Sequence, residues 1–402
     1  MMDEALPATP GCPFPMSRDG ANPLEPPPEY RRLRIEEPVC RVRTPNGDLA
    51  WVVSRYEDVR AALSDQRLSS RVTRGYPRLF FPEPGPPGAF VQSDPPEHTR
   101  YRRMVVGQFT RKRAEEMRPY VQELVDERID AMLALDRPVD LVTEYAKEVP
   151  LSVICRLLGV PYRDRVAFGR WVNKLNEPTA NPSVNKGAAS SLFQYLRRLV
   201  TAKAKKPTDD LLGRLAAEHL ANGEITREEI TAIAMMLLSA GYDTSTSAIS
   251  LSVLTLLENP DELARLQDDP SLINSAVEEL LRHQNIMQWG VGRVAEEDVE
   301  IAGRRIPAGD GVILLLPSAD RDDDAHPDAA RLDITRETGY SLSFGHGLHS
   351  CVGKFLTRVE MQVAIGTLFR RIPGLRLVKP PHELEYREAA ITYGVRELPV
   401  TW

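Results

Sequence analysis

The sequence predicts a mainly α-helical domain that carries a few small β-sheets. Three observations support this prediction. Most segments between residues 98 and 240 repeat their apolar residues at helical spacing. One capped apolar segment, at 226–258, is long enough to cross a whole domain at about 1.5 Å per residue. Short β-like segments are confined to the early part of the chain, to residues 292–315 and to the C-terminus.

Length and composition indicate one large globular domain. The chain has 402 residues, more than the ~100–200 residues of a usual domain, but it shows no internal repeat and no break in composition. Hydrophobic residues make up 42% and charged residues 27%, which argues against disorder of the whole chain. We expect a single domain over residues 29–402, preceded by an extended proline-rich segment at 1–28.

The charge balance and the N-terminus exclude two classes of partner. Lys and Arg number 51 and Asp and Glu 57, so the formal net charge is −6 and a nucleic-acid binder is not expected. No apolar run approaches the ~20 residues of a membrane span. The N-terminus has acidic residues where a signal peptide has basic ones. We therefore expect a cytoplasmic protein that does not bind a membrane.

The first elements are short, and the central helices are the clearest. Residues 51–53 are predicted to form a strand and 57–63 a helix, and the proline-rich stretch 74–96 is predicted to be a functional or mobile loop. A capping box at Thr226 and Glu229 begins the long helix, and Asn259-Pro260 ends it. The remaining predictions are helices at 270–283 and 352–371 and strands at 292–294, 299–301, 305–306, 312–315, 375–378 and 398–402.

One of the four cysteines has an unusual sequence context. Cys155 lies in an apolar run and is predicted to be a core residue, and no CxxC pair is present. Cys351 follows a glycine-rich loop and precedes a helix, where the helix N-terminus favours a thiolate. Such a loop could bind a soft metal axially. A plain glycine-rich turn is the simpler interpretation, whereas a phosphate loop does not fit Gly353-Lys354-Phe355.

The segment FGHGLHSCVGKFLTRVE, residues 344–360, resembles the heme-binding loop of the cytochrome P450 family, FGxGxHxCxGxxLxRxE. The resemblance implies a fold in which a long central helix lies over heme b and the cysteine loop lies beneath it. It implies that Cys351 is the metal ligand, that Phe344 packs beside the heme, and that Gly353 permits close approach of the helix. His349 also falls among the implied cofactor-binding residues.

The motif Ala240-Gly241-Tyr242-Asp243-Thr244 interrupts the most apolar helix of the chain. Taken alone, the threonine would bond back to the carbonyl four residues earlier. The motif resembles the family's AG-x-[ED]-T, which implies that Thr244 and Asp243 are catalytic. Thr244 would hold oxygen or a water over the iron and Asp243 would relay protons. Ala240 and Gly241 would leave room there.

Further motifs follow in the order expected of the family, over residues 51–402. The AVEELLR segment resembles the family's ExxR helix, which implies a structural ion pair between Glu279 and Arg282. The resemblance also makes His98, Arg102 and Arg293 the partners of the heme propionates. Taken alone, Glu279 and Arg282 would form an ordinary surface pair, and His98 and Arg102 would lie on a solvated basic helix face.

The sequence departs from the family pattern at two places. The family usually has a histidine three residues before the loop phenylalanine, where this chain has Ser341. The segment 319–322 matches the usual ANRD except that Asp320 replaces the asparagine. The histidine contact with a propionate is therefore weakened or replaced, and heme position or potential is expected to differ slightly.

The resemblance implies a soluble bacterial monooxygenase, an oxidoreductase that activates O₂ to oxidise a small apolar or aromatic natural product of secondary metabolism. One alternative is oxidative C–C or C–N coupling of an aromatic cyclic dipeptide, because residues 36–53 and the ending LPVTW faintly resemble members that act on such compounds. Heme binding without turnover and peroxygenase activity are further alternatives. The pair of Asp243 and Thr244 argues against both, because a carrier does not need proton delivery and peroxygenase relatives tend to lose this pair.

The implied partners are a substrate, O₂ and an electron donor. The chain has no flavin or iron–sulfur segment, so a ferredoxin with its reductase is expected, acting on a monomer. Basic residues that would face it are Arg100, Arg103, Arg111, Lys112, Arg113, Lys354 and Arg358, although a solvated basic face is the simpler interpretation. By analogy with the fold, the substrate pocket is lined by Val72, Tyr76, Phe90, Met236, Leu237, Met287, Trp289 and Tyr393, for which core packing is about equally expected.

Overall fold

The computed structural model describes residues 12–81, 83–176, 182–337 and 341–402. Its helices are α1 Pro28–Glu36, α2 Tyr56–Ser64, α3 Glu97–Val106, α4 Arg111–Leu133, α5 Glu148–Leu158, α6 Arg165–Asn176, α7 Pro182–Lys205, α8 Leu211–Leu215, α9 Arg227–Leu257, α10 Pro260–Asp268, α11 Ile273–Gln284, α12 Leu316–Ala319 and α13 Lys354–Arg371. The predicted mainly helical architecture is therefore observed. Among the described residues, no helix combines the length and the apolarity that crossing a membrane requires.

The strands form small sheets at the edges of the helical body. They are β1 Cys12–Pro13, β2 Val39–Arg43, β3 Leu49–Val53, β4 Leu68–Ser69, β5 Val139–Asp140, β6 Val291–Ala295, β7 Val299–Ile301, β8 Arg304–Ile306, β9 Gly311–Leu314, β10 Arg376–Leu377 and β11 Pro399–Thr401. The largest sheet has the order β1-β2-β3-β9-β6-β4, in which β3 and β9 run parallel and pair Trp51 with Val312. The others are β10-β11-β5 and the hairpin β7-β8.

Helix α9 forms the centre of the fold. Its capping box is present, since the Thr226 hydroxyl accepts from the Glu229 amide at 3.1 Å and the Glu229 carboxylate accepts from the Thr226 amide at 2.6 Å. It packs against α5, α7, α11 and α13. Because nearly all of its faces meet another helix, it is apolar almost all round, which is typical of a buried helix.

Three helices, α1, α10 and α12, were not predicted, and the proline-rich segments are ordered by packing. Helices α1 and α10 both begin at a proline, at Pro28 and Pro260, where the fixed backbone angle suits the first helical position. Residues 12–28 lie against the domain, because Pro23 accepts a hydrogen bond from the Tyr393 hydroxyl. The loop at 74–96 is anchored by Tyr76 and Phe80, which pack where Gly292 lacks a side chain.

The predicted ion pair of α11 is completely buried. The guanidinium of Arg282 donates two hydrogen bonds to the Glu279 carboxylate, each of 2.8 Å, and neither side chain is exposed. Arg282 also donates to the carbonyls of Asp320 and Ala329, at 2.7 and 2.9 Å. Arg336, which the sequence analysis missed, donates to Glu279 at 3.2 Å. All these charges are therefore paired, as buried charges must be.

We expect Arg282→Ala to lower the free energy of unfolding by about 3–5 kcal/mol, because it leaves the carboxylate of Glu279 buried without its main partner. Urea denaturation followed by circular dichroism measures this change. The control is Arg113→Ala, which breaks a half-exposed pair with Glu116 of 3.0 Å and should cost about 0–1 kcal/mol. Equal losses in the two variants would contradict the structural role of Arg282.

Candidate active site

The loop that carries Cys351 is held by its own backbone. The Cys351 amide donates to the Phe344 carbonyl at 2.8 Å. Gly345 and Gly347 have φ of 65° and 68°, a region that other residues rarely adopt. A side chain at Gly347 would also lie 2.8 Å from the Leu63 carbonyl. The two glycines are therefore required for the turn that places the cysteine just before α13.

The sulfur of Cys351 lies between α13 and a set of basic groups. A Cβ atom built at Gly353 would lie 3.8 Å from this sulfur. Because glycine lacks that atom, a group that approaches the sulfur meets little steric hindrance from this side. Burial raises the pKa of the Cys351 thiol, while the Gly353 amide, Arg102 and Lys354 act in the opposite direction. The helix start does act toward the thiolate, through the Gly353 amide, but desolvation is the larger influence on the pKa of this buried thiol. A cation bound to the sulfur would supply the missing stabilisation.

Helix α9 has an opening in the middle of its buried length. Ser239 and Ala240 are exposed although the helix around them is buried, and Gly241 and Thr244 are half-buried. A Cβ atom at Gly241 would meet only Ile154, at 3.8 Å. The Thr244 hydroxyl donates to the Ala240 carbonyl at 2.5 Å, which is the local bond expected of a threonine in a helix. The motif therefore borders a space that a ligand can enter.

Asp243 is held by a residue that the sequence analysis missed. Both carboxylate oxygens of Asp243 accept from the guanidinium of Arg387, at 2.6 and 3.1 Å. The Arg387 amide also donates to the Gly394 carbonyl at 2.8 Å. This bond holds Arg387 in the C-terminal turn, which we define as residues 387–394. Arg387 lies in no recognisable motif and is 144 residues distant along the chain, so no sequence signal could have found it.

Four predicted cofactor-binding residues form one basic pocket. His98 is completely buried, and neither of its ring nitrogens finds a hydrogen-bond partner among the described residues. Its ring centroid lies 4.3 Å from that of His349. Burial and Arg102 lower the pKa of His98 to about 4, and burial, Arg293 and His98 lower that of His349 to about 3. Orphaned imidazole nitrogens beside two arginines fit an anionic group such as a carboxylate.

The predicted substrate-pocket residues do not form one cluster. Val72, Tyr76 and Trp289 pack together beside the largest sheet, and Met287 packs on its other face. The remaining four belong to the main helical core, namely Phe90, Met236, Leu237 and Tyr393. Tyr393 is completely buried, with its hydroxyl 2.8 Å from the Pro23 carbonyl and Arg18 stacked on its ring. In this structure Tyr393 is therefore a core residue.

Other contacts extend the site behind the loop. The two departures from the family pattern touch each other, because the Ser341 hydroxyl donates to the Asp320 carboxylate at 3.1 Å. The carboxyl of Glu360 on α13 is buried beside Ser245, and burial raises its pKa to about 8. The sequence analysis recorded Glu360 only as a letter of the loop motif.

A cysteine loop at the start of a helix, an opening in a long buried helix and a basic pocket beside the loop fit the class of heme-thiolate proteins. The family model for cytochrome P450 matches residues 186–373. Cytochrome P450 GfsF from Streptomyces halstedii is 45% identical over 100% of this chain and 99% of its own length. Mycinamicin VIII C21 methyl hydroxylase from Micromonospora griseorubida is 40% identical over 97% and 99% of the two chains.

Solved structures agree with these relatives. The crystal structure of GfsF has a TM-score of 0.91 and 43% identity, and the match covers 97% of this chain and 99% of that chain. The putative thioether synthase SgvP has a TM-score of 0.91 and 38% identity over 97% and 99% of the two chains. The chain belongs to the cytochrome P450 family. It is a heme b monooxygenase, so the predicted family, fold, enzyme class and cofactor are confirmed.

Proposed function

We propose that this monooxygenase hydroxylates a small apolar natural product of bacterial secondary metabolism. The observation that carries the proposal is the opening of α9 at Ser239 and Ala240, which lies next to an acid and an alcohol. The names of two relatives support it, since one is a mycinamicin VIII C21 methyl hydroxylase and another, 43% identical, is the vitamin D3 dihydroxylase of Streptomyces griseolus. Apolar side chains of α9, such as Met236, would line the substrate space.

A screen of candidate substrates tests this proposal. We expect apolar natural products to bind and to change the spin state of the iron, as measured by the shift of the Soret band, because they displace water from the space beneath α9. Product analysis should then show one added oxygen atom. Aromatic cyclic dipeptides belong in the same screen. If only these bind, and if they are coupled without gaining oxygen, hydroxylation is the wrong reaction.

Cys351 is the proposed protein ligand of the heme iron. The heme supplies the activation of O₂ when it is bound. Gly353 permits close approach to the sulfur, and Phe344 would pack beside the ring. The basic pocket of His98, Arg102, Arg293 and His349 would hold the propionates, because its unpartnered ring nitrogens need an anionic or polar partner.

Asp243 and Thr244 are the proposed proton-delivery residues. Thr244 borders the opening of α9, and its hydroxyl can leave the Ala240 carbonyl to bond a water there. The Asp243 carboxylate is partly exposed and held in place by Arg387 on the side of the C-terminal turn. Arg387 is a positioning residue in this scheme, since it fixes the acid that passes a proton from solvent to the hydroxyl.

We expect Thr244→Ala to lower the product formed per electron consumed and to release peroxide, whereas Thr244→Ser retains the hydroxyl and the coupling. Asp243→Asn should slow turnover by about 100-fold and raise the solvent isotope effect. The matched control is Thr246→Ala, because the Thr246 hydroxyl makes the same type of bond, 2.9 Å to the Tyr242 carbonyl, but is buried. If Thr244→Ala leaves the product formed per electron consumed unchanged, the motif contributes only to helix packing.

A ferredoxin with its reductase is the proposed electron source, and the structure divides the basic residues that would face it. Arg100 donates to Glu229 at 3.3 Å and is thereby paired with an acidic residue at the start of α9. Arg111 and Lys354 instead meet at the ring of Phe355, 5.6 and 5.4 Å from its centroid. Arg358 lies 4.6 Å from the ring of Phe344. Arg358 is already paired with the Glu278 carboxylate at 2.8 Å, so Arg111 and Lys354 are the cations beside the cysteine loop that fit an acidic partner.

We expect Arg111→Glu with Lys112→Glu to slow reduction by a ferredoxin at least about tenfold at low salt, because complementary charge steers the encounter. Stopped-flow kinetics at rising ionic strength measures the effect, which should fade as salt screens exposed charges over ~8–10 Å. Arg304→Glu on the β7-β8 hairpin is the control for a charge change elsewhere on the surface. A reduction rate that changes with neither the salt concentration nor the two substitutions would exclude this docking face.

A further inference from the structure

Asp320 is a completely buried carboxyl at the end of α12. One of its oxygens accepts from the Leu342 amide at 2.7 Å, and the other accepts from the Asn285 side-chain nitrogen at 2.6 Å. Both partner groups donate to Asp320, since the Asn285 side-chain oxygen faces the Met287 amide at 3.4 Å and its NH₂ group therefore faces the carboxylate. An asparagine at this position would place its own NH₂ group against one of the two donors.

Two hydroxyls complete the contacts of this carboxyl. The Ser341 and Ser343 hydroxyls lie 3.1 and 3.2 Å from the oxygen that Asn285 contacts, and they also contact each other. The Ser343 hydroxyl is placed to donate to the Leu281 carbonyl at 2.7 Å. Residues 341–343 are therefore fastened to the end of α11 through the Asp320 carboxyl and through the direct bond of Ser343 to Leu281.

This fastened segment leads directly to the iron ligand. The residue after it is Phe344, whose carbonyl accepts the Cys351 amide at 2.8 Å. Backbone hydrogen bonds around a ligating cysteine hold the sulfur in place and tune its electron donation. A shift at residues 341–343 would therefore reach Cys351 through a single backbone hydrogen bond.

We propose that Asp320 is a positioning residue for Cys351, and that it holds residues 341–343 so that the cysteine loop keeps the geometry needed for thiolate ligation. This proposal rests on the proposed role of Cys351 as the heme ligand. Asp320 acts through the loop and touches neither the sulfur nor the space beneath α9. Its contact with Ser341 joins the two places at which the chain departs from the family pattern.

The charges around Asp320 agree with a carboxylate at neutral pH. Burial raises its pKa to about 6, and the Leu342 amide, Asn285, Ser341 and the guanidinium of Arg282 oppose that rise. The other facing titratable group is His326, 4.0 Å away, whose pKa is lowered to about 4, so it is neutral. Because the folded pKa lies above the ordinary value of 3.8, ionisation removes stability as pH rises through about 4 to 6.

The test compares the heme-loaded protein with three variants. Asp320→Asn should release heme to apomyoglobin about tenfold faster, since a buried donor loses its acceptor. Its reduced CO complex should also lose part of the red-shifted band that reports thiolate ligation. The Asn285→Asp/Asp320→Asn double variant reverses the donor and the acceptor, and it should restore both readouts. Asp322→Asn is the control, because that buried carboxylate accepts from the Tyr56 amide at 2.9 Å and does not contact the loop.

The outcomes separate positioning from simple stability. Equal losses of unfolding free energy in Asp320→Asn and Asp322→Asn, with the CO band and heme release unchanged, would overturn the proposal. So would a failure of the reversed pair to restore the band. If Asp320→Asn does not fold, Ser341→Ala removes one contact and should show the same changes at smaller size, and no change there would also overturn it. Loss of the band in Cys351→Ser is the reference, and a band retained there would instead show that the proposed ligand is wrong.

Discussion

The buried ion pair of Glu279 and Arg282 is the interaction on which the rest of this structure depends. Unpaired, either charge would cost several kcal/mol in this environment. The remaining donors of Arg282 are therefore satisfied by carbonyls of the segment that follows α12, including that of Asp320. One guanidinium thus joins α11 to a segment distant in sequence, and Asp320 joins that segment to the loop leading to Cys351.

The polar residues of helix α9, the other element that borders the site, are constrained in a different way. Helix α9 is buried almost all round, so any polar group on it must find a partner or face an opening. Thr246 and Ser250 bond back to their own helix, and Asp243 takes Arg387 from the C-terminal turn. Beyond its exposed first turn, the described residues of α9 that are exposed are Ser239 and Ala240. The polar residues of α9 therefore fall into two sets. The first set forms hydrogen bonds within the protein, and the second can contact a ligand.

The basic pocket places cationic groups and unpartnered ring nitrogens beside the cysteine loop. His98 and His349 are held neutral beside Arg102 and Arg293, which lowers the pKa of both rings. Buried nitrogens without partners are unfavourable for the protein alone. An anionic group bound between them would turn this cost into a favourable interaction, and a cation bound to the buried sulfur of Cys351 would do the same there.

The sequence by itself determined the family, the capped helix α9, the loop of Cys351 and the pair of Glu279 and Arg282, because each depends on residues close together in the chain. Capping, turns that require glycine and spacing on one helix face are local properties. Only the tertiary structure decided that Arg387 holds Asp243, that Arg336 joins Glu279 and that Tyr393 packs as a core residue. It also decided that burial makes the Cys351 thiol less acidic and that Asp320 meets Ser341. These outcomes depend on long-range contacts and on desolvation, which the packing of distant segments creates and which no local pattern encodes.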